Sequence, residues 1–191
     1  GPSYVCGLRQ NVADRTNLAI HNTGTASEGP ITLRLTLFSG DPAAPTSYTL
    51  PDQILFPGGF FQINNVLRSN GLSLNSGYVR VDRVSGTAPY YTYALIHDQI
   101  NADGVVVPPI PEFDLTGRKG LILPVVVENS TFSSELVLTN WSTSKKSLRF
   151  AFVDQDSQSQ GSSSSFVIEL NAREQRIISN LERWLEQNRV S

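Results

Sequence analysis

The sequence predicts an all-β chain of two tandem antiparallel β-sandwich repeats, and three observations carry that prediction. Apolar and polar residues alternate over short runs, turn residues punctuate those runs, and four blocks recur in the same order along the 191 residues. Alternation with period two marks strands that bury one face. A recurrence of this length marks two copies of one supersecondary design.

Residues 4–11 and 122–129 open the two copies with apolar strands. Leu18 and Ile20 alternate in the next run, as do Leu136 and Leu138, and Asn22 and Asn140 close these runs at turns. An offset of 118 residues relates both pairs of blocks. Ile31, Leu33, Leu35 and Leu37 then share one face of a strand, with Thr32, Arg34 and Thr36 on the other; Leu148, Phe150 and Phe152 repeat this pattern. Residues 54–63 match 168–177 at an offset of 114, with Asn171, Ala172 and Arg173 in place of the turn at Pro57, Gly58 and Gly59. Short strands joined by turns, without a strand–helix–strand rhythm, are the pattern of an immunoglobulin-like sandwich.

The first copy continues into strands over 77–85 and 89–98, read as a long hairpin about Ser85 and Gly86. The second copy lacks this pair, so it is expected to be incomplete and to leave a sheet edge open, a route to a homo-oligomer. It ends instead in a short α-helix over about 179–188. Ser179 and Glu182 fit a capping box there, with Ile178, Leu181, Trp184 and Leu185 on one face. The matching stretch 65–69 is expected to form a single turn that stops near Gly71. Pro108, Pro109 and Pro111 stiffen the join, dividing the chain into repeat 1 (3–108) and repeat 2 (109–191). Residues 158–165 read as a polar loop within repeat 2.

Composition bounds the function. Hydrophobic residues make up 39% and charged residues 17%, enough for a core and too little charge for disorder. A net charge of −2 with interspersed signs argues against a nucleic-acid surface, which needs a basic patch. No apolar run is long enough to span a membrane as a helix. Gly1-Pro2 reads as the scar of tag cleavage, and with no methionine in the chain it suggests a fragment of a longer protein. The single cysteine, Cys6, excludes an internal disulfide framework and reads as a small buried apolar residue with Pro124 as its counterpart. Loops rich in serine, threonine and asparagine point to an extracellular or periplasmic protein.

No catalytic constellation emerges. His21 and His97 fall in predicted strands, and no nucleophile elbow accompanies them. Asp98, Asn101 and Asp103, before Gly104, form a candidate calcium loop, although the same residues make good turn chemistry. Tyr90, Tyr91, Tyr93 and Trp141 are candidate glycan-binding residues, because exposed rings stack on sugars. Tyr90 lies on the opposite strand face from Tyr91 and Tyr93, and Trp141 follows a strand end. Asn129 and Asn140 head tripeptides that match the glycosylation acceptor pattern.

The order of an apolar strand, a Leu-x-Ile/Leu-x-Asn strand, a Leu-Arg strand and a turn before Ile63 or Ile177 resembles tandem immunoglobulin-like repeats of secreted bacterial proteins, the CARDB-like group among them. That resemblance implies spacer, adhesion or accessory roles, with no catalytic residues to carry over. The expected function is therefore a non-catalytic extracellular structural or interaction module with a protein or glycan partner. A carbohydrate-binding module and an accessory domain of a secreted enzyme are the alternatives.

Overall fold

The computed structural model describes residues 1–69, 71–123, 125–152 and 164–188. Its first half contains β1 (Ser3–Arg9), β2 (Asp14–Asn22), β3 (Ile31–Ser39), β4 (Ser47–Thr49), β5 (Gln53–Leu55), β6 (Phe60–Ile63), β7 (Ser76–Ser85), β8 (Tyr90–Asp98), β9 (Gly104–Val107) and β10 (Ile110–Pro111). One sheet runs β10-β1-β7-β3-β4, with β5 also on β3, and the other runs β6-β2-β8-β9. All these pairings are antiparallel. Between the sheets lie Val5, Leu18, Ile20, Leu33, Leu35, Leu37, Val79, Val81 and Ala94, so the predicted alternation does set the core. The fold is all-β and sandwich-like.

The expected hairpin of β7 and β8 is instead a crossing between sheets. β7 pairs with β1 and β3, whereas β8 pairs with β2 and β9. Residues 86–89 make the crossing: Gly86 has φ +83° and packs against the Pro30 carbonyl, while Ala88 is buried in the core. Each strand buries one face, which satisfies hairpin and crossing alike; the pairing partners decide between them.

The proline-rich join reaches the first half. A four-residue helix, α1 (Glu112–Leu115), follows β10, which borders β1 at a sheet edge where proline is tolerated. Beyond it lie β11 (Leu136–Thr139), β12 (Lys146–Phe152), β13 (Ser164–Leu170), β14 (Gln175–Ile178) and α2 (Leu181–Gln187). β11 pairs with β14 and β12 with β13, and Leu136, Ile168, Leu170, Ile178, Leu181 and Leu185 gather between them. Asn180 caps α2: its side chain accepts a hydrogen bond from the Arg183 N–H at 2.8 Å. The helix therefore starts after the predicted Ser179 box, and Ile178 belongs to β14. In the first half, the turn after Asn65 closes as predicted, with Gly71 at φ +76°.

Residues 122–129 do not form the strand expected of them; among those described, only a bridge between Glu128 and Ser133 is present. In the first half the corresponding β1 is held between β10 and β7. No counterpart of β7 exists among the described residues of the second half, so this segment has no ladder to join. Pro124, and residues 158–163 of the predicted polar loop, lie outside the described residues.

The same polar contacts recur in both halves. The Asn22 amide donates to the Leu55 carbonyl (2.9 Å) and accepts from the Gly24 N–H (2.9 Å). Asn140 donates to the carbonyls of Leu170 (3.3 Å), Asn171 (2.7 Å) and Ser144 (2.8 Å) and accepts from the Ser142 N–H (3.1 Å). Val66 N–H bonds the Thr16 carbonyl at 2.9 Å, and Leu181 N–H bonds that of Ser134 at 2.9 Å. The ladders place Ile178, not Ile177, where Ile63 stands, since Leu18 faces Ile63 and Leu136 faces Ile178. The correspondence after Asn140 is thus shifted by one residue from the sequence alignment, which two adjacent isoleucines had left ambiguous. Arg173 at φ +64° takes the left-handed place of Gly58 at φ +74°.

Asn140 is buried, with its amide nitrogen committed to carbonyls, so the tripeptide it heads is a structural corner and not an accessible glycan acceptor. Asn140→Ala removes bonds to three carbonyls, one of them buried, and is expected to cost about 2 kcal/mol. Urea denaturation checks this: the midpoint should fall with the slope unchanged.

Candidate interaction surfaces

One surface lies where the two halves meet, around a backbone irregularity. Between Val5 and Leu8 the β1–β7 register shifts, so Cys6 and Gly7 together oppose Tyr78. Gly7 adopts φ +79°, a left-handed conformation that glycine reaches without strain. This bulge takes polar backbone groups out of the ladder. Gln175, the first residue of β14, meets them: its side-chain oxygen accepts from the Gly7 N–H at 2.7 Å, and its nitrogen reaches the Leu8 carbonyl at 3.4 Å and Ser76 Oγ at 2.9 Å. Its own N–H donates to the Gly40 carbonyl at 2.9 Å. Gly40 is required there, because a Cβ would stand 2.7 Å from Gln175 Cβ.

Around this polar centre the outer face of the first sheet is aromatic. Tyr4 and Tyr78 are buried with Cys6, and Phe38, Val137 and Trp141 pack on them. Trp141 stacks on Tyr4 (ring centroids 4.1 Å apart, planes 9° apart), and the Arg173 guanidinium lies 4.7 Å from the Phe38 ring centre. At the border Arg9 grips Glu135 with two bonds of 2.6 and 2.9 Å. Burial pushes the Cys6 thiol up to about 11, against a smaller opposite effect of the Thr139 hydrogen bond. Cys6 is therefore a packed apolar residue under the second half, as the sequence predicts.

Trp141 thus lies in this join and not beside the tyrosines. Tyr90 faces inward, half-buried on the first core, with its hydroxyl 3.4 Å from the Val81 carbonyl. Tyr91 and Tyr93 do come together on the outer face of the second sheet, ring centroids 6.0 Å apart and tilted by 31°. The register adds two residues that the sequence reading did not include. Phe60, His21 and Tyr91 form one row across β6, β2 and β8, with Gln62, Ala19 and Tyr93 in the next. Phe60 and Tyr91 are 55% and 46% exposed, high for rings of this size. The alternation of Phe60 with Gln62 is visible in the sequence, but the side it faces depends on pairing with β2.

In the candidate calcium loop one oxygen of each side chain bonds the loop's own backbone. Asp98 Oδ1 accepts from Ile100 N–H (2.7 Å), Asn101 Oδ1 from Asp103 N–H (2.8 Å) and Asp103 Oδ1 from Gly104 N–H (2.8 Å). These bonds, with Ala102 at φ +62°, shape the turn from β8 to β9. Among the described residues no group of three or more His, Cys, Asp or Glu side chains is placed to hold a metal. His97 Nε2 lies 3.3 Å from the Asn17 amide nitrogen, a contact between strands β8 and β2. No helix among the described residues is long and apolar enough to cross a membrane.

No family model matches the chain, and no curated protein does. Among solved structures it is similar to the crystal structure of Thermotoga maritima 1070, at 14% identity and a TM-score of 0.41, over 57% of this chain and 91% of that one.

The turn that presents Gln175 is held by Glu174. Burial alone would raise its carboxyl, but the Asn171 N–H at 2.7 Å and the Arg176 guanidinium at 2.6 Å outweigh it, so the group titrates below an ordinary glutamate. A depressed native value means stability that is present above the unfolded value, about 4.3 for a glutamate, and lost as pH falls through the native one. Glu174→Gln should therefore remove part of the acid-side loss of stability, read as a flatter dependence of the thermal midpoint on pH below about 4.3.

Proposed function

We propose that this chain is a non-catalytic structural and interaction module, in which two β-sandwich units of common design, the second incomplete, are docked in series as a spacer or adhesion segment of a larger extracellular or periplasmic protein. The observation that carries this reading is the Gln175 side chain seated in the β1 bulge. A flexible linker between independent units has no use for a buried side chain that satisfies the backbone of its neighbour. Recurring contacts around Asn22 and Asn140 support the common design. The stacked Tyr4–Trp141 pair and the Arg9–Glu135 fork support a fixed angle between units, which is what a spacer supplies. An accessory domain of a secreted enzyme would use the same rigidity.

Cys6 reports on this join, because its thiol lies beneath Thr139 and Val137. In the native chain it should react with a maleimide at least tenfold more slowly than in Gln175→Ala, which loses about 2 kcal/mol of contacts across the join. Equal labelling rates in the two folded proteins would remove the rigid-spacer reading.

A second reading is favoured by the Phe60, His21, Tyr91 and Tyr93 face, where rings line adjacent strands beside the neutral amides of Gln62 and Asn17. In that reading the chain is a carbohydrate-binding module. A glycan-array screen tests it with Tyr91→Ala/Tyr93→Ala alongside: saturable binding lost in the variant supports it. No binding by the folded chain removes it.

A further inference from the structure

The exposed aromatic face of the first half has a counterpart in the second half, and that counterpart is already an interface. His21 faces Phe60 across β2 and β6, and Thr139 faces Gln175 across β11 and β14. These pairs occupy the same ladder position, since Leu18–Ile63 and Leu136–Ile178 each lie three residues along the same strands. One step on, Ala19 stands where Val137 stands. In the second half this surface covers Tyr4, Cys6 and Tyr78, with Val137 against Gly7 and Gln175 in the bulge. In the first half the equivalent surface, widened by Tyr91 and Tyr93 on β8, leaves the rings of Phe60 and Tyr91 exposed among the described residues.

We infer that the β6-β2-β8 face of the first half is a docking surface for another sandwich unit of this design, which it meets through that unit's outer β1-β7-β3 face. The inference rests on reading the halves as like units. The occupant follows from the join within the chain, where the equivalent face selects a bulged β1 edge flanked by aromatic rings. Side-chain chemistry agrees. The rows from Phe60 to Val106 present Phe60, His21, Tyr91, Gln62, Tyr93 and Val106, with the buried Ala19 and Asn17 between them and no charged group until Arg15 at the far end. Charge depletion with aromatic enrichment marks the core of a protein interface. Such a contact joins two different faces, so it is head-to-tail and extends an array instead of closing a symmetric dimer.

In the wild-type chain the receiving β1-β7-β3 face is covered by its own second half, so the full chain should run as a monomer at micromolar concentration. Gln175→Arg places a charged side chain against the bulge and uncovers that face; Trp141→Glu does so independently from the aromatic side. Whichever variant keeps its β-sheet circular dichroism and labels at Cys6 is then measured by light scattering after size exclusion. The expected result is concentration-dependent association, reduced at least tenfold when Phe60→Arg and Tyr91→Arg are added. A folded, Cys6-labelled variant that stays monomeric overturns the inference, as does association indifferent to Phe60→Arg and Tyr91→Arg. Glycan binding that these two substitutions abolish would also overturn it, by assigning the face to sugar. The labelling rate of Cys6 reads the internal join separately, so failure of this inference is distinct from failure of the spacer reading.

Discussion

The extra residue in β1 is the constraint on which the arrangement of the two halves depends. A bulge at Cys6 and Gly7 leaves backbone groups that the ladder to β7 does not pair, and buried backbone groups without partners are costly. Gln175 supplies the partners from more than 160 residues away in the chain. The remaining contacts of the join are arranged about that point. Gly40 lets the Gln175 backbone approach, Glu174 fastens the turn before it, and Arg173, in the left-handed place just ahead, reaches over Phe38 while donating to the Trp141 carbonyl at 2.7 Å. Apolar packing of Tyr4, Tyr78, Val137 and Trp141 then supplies area that the single polar contact lacks.

Inside each half a different device does the organising. Asn22 and Asn140 end their strands with side chains that hold the following turn and a distant strand at once. A glycine or serine could make the turn but not bridge to the neighbouring carbonyl, which is why an asparagine stands at both corners. The halves differ in what they can complete. In the first, β7 and β8 fill the centres of the two sheets. In the second, β11 and β12 each have one ladder among the described residues, and the apolar stretch through Leu121, Ile122 and Leu123 stays exposed at 68%, 89% and 55%. The smaller core beneath α2 is consistent with that difference.

Much of this was legible in the residues. Period-two alternation marks β2, β3, β8, β11 and β12, and Asn22 and Asn140 mark the turns that follow two of them. Cys6 was readable as core because nothing in the chain offered it chemical company. The helix was placed within two residues, although its cap is Asn180 and not Ser179: both suit a cap, and only the strand end at Ile178 fixes which one is used. Strand alternation puts Tyr91 and Tyr93 on one face of β8. Alternation says nothing of where Trp141 packs, because its partner Tyr4 lies at the other end of the sequence.

Local alternation and turn chemistry set the all-β class and the apolar face of β2, β3 and β8, since both are short-range properties of the chain. Only the tertiary structure decided that β7 and β8 belong to different sheets, that Phe60 and His21 share a face with Tyr91, and that Gln175 plugs the β1 bulge. Alternation records that a side chain is buried, not against what. Pairing partners are chosen by long-range ladders and by unsatisfied backbone groups, which leave no periodic mark in the chain.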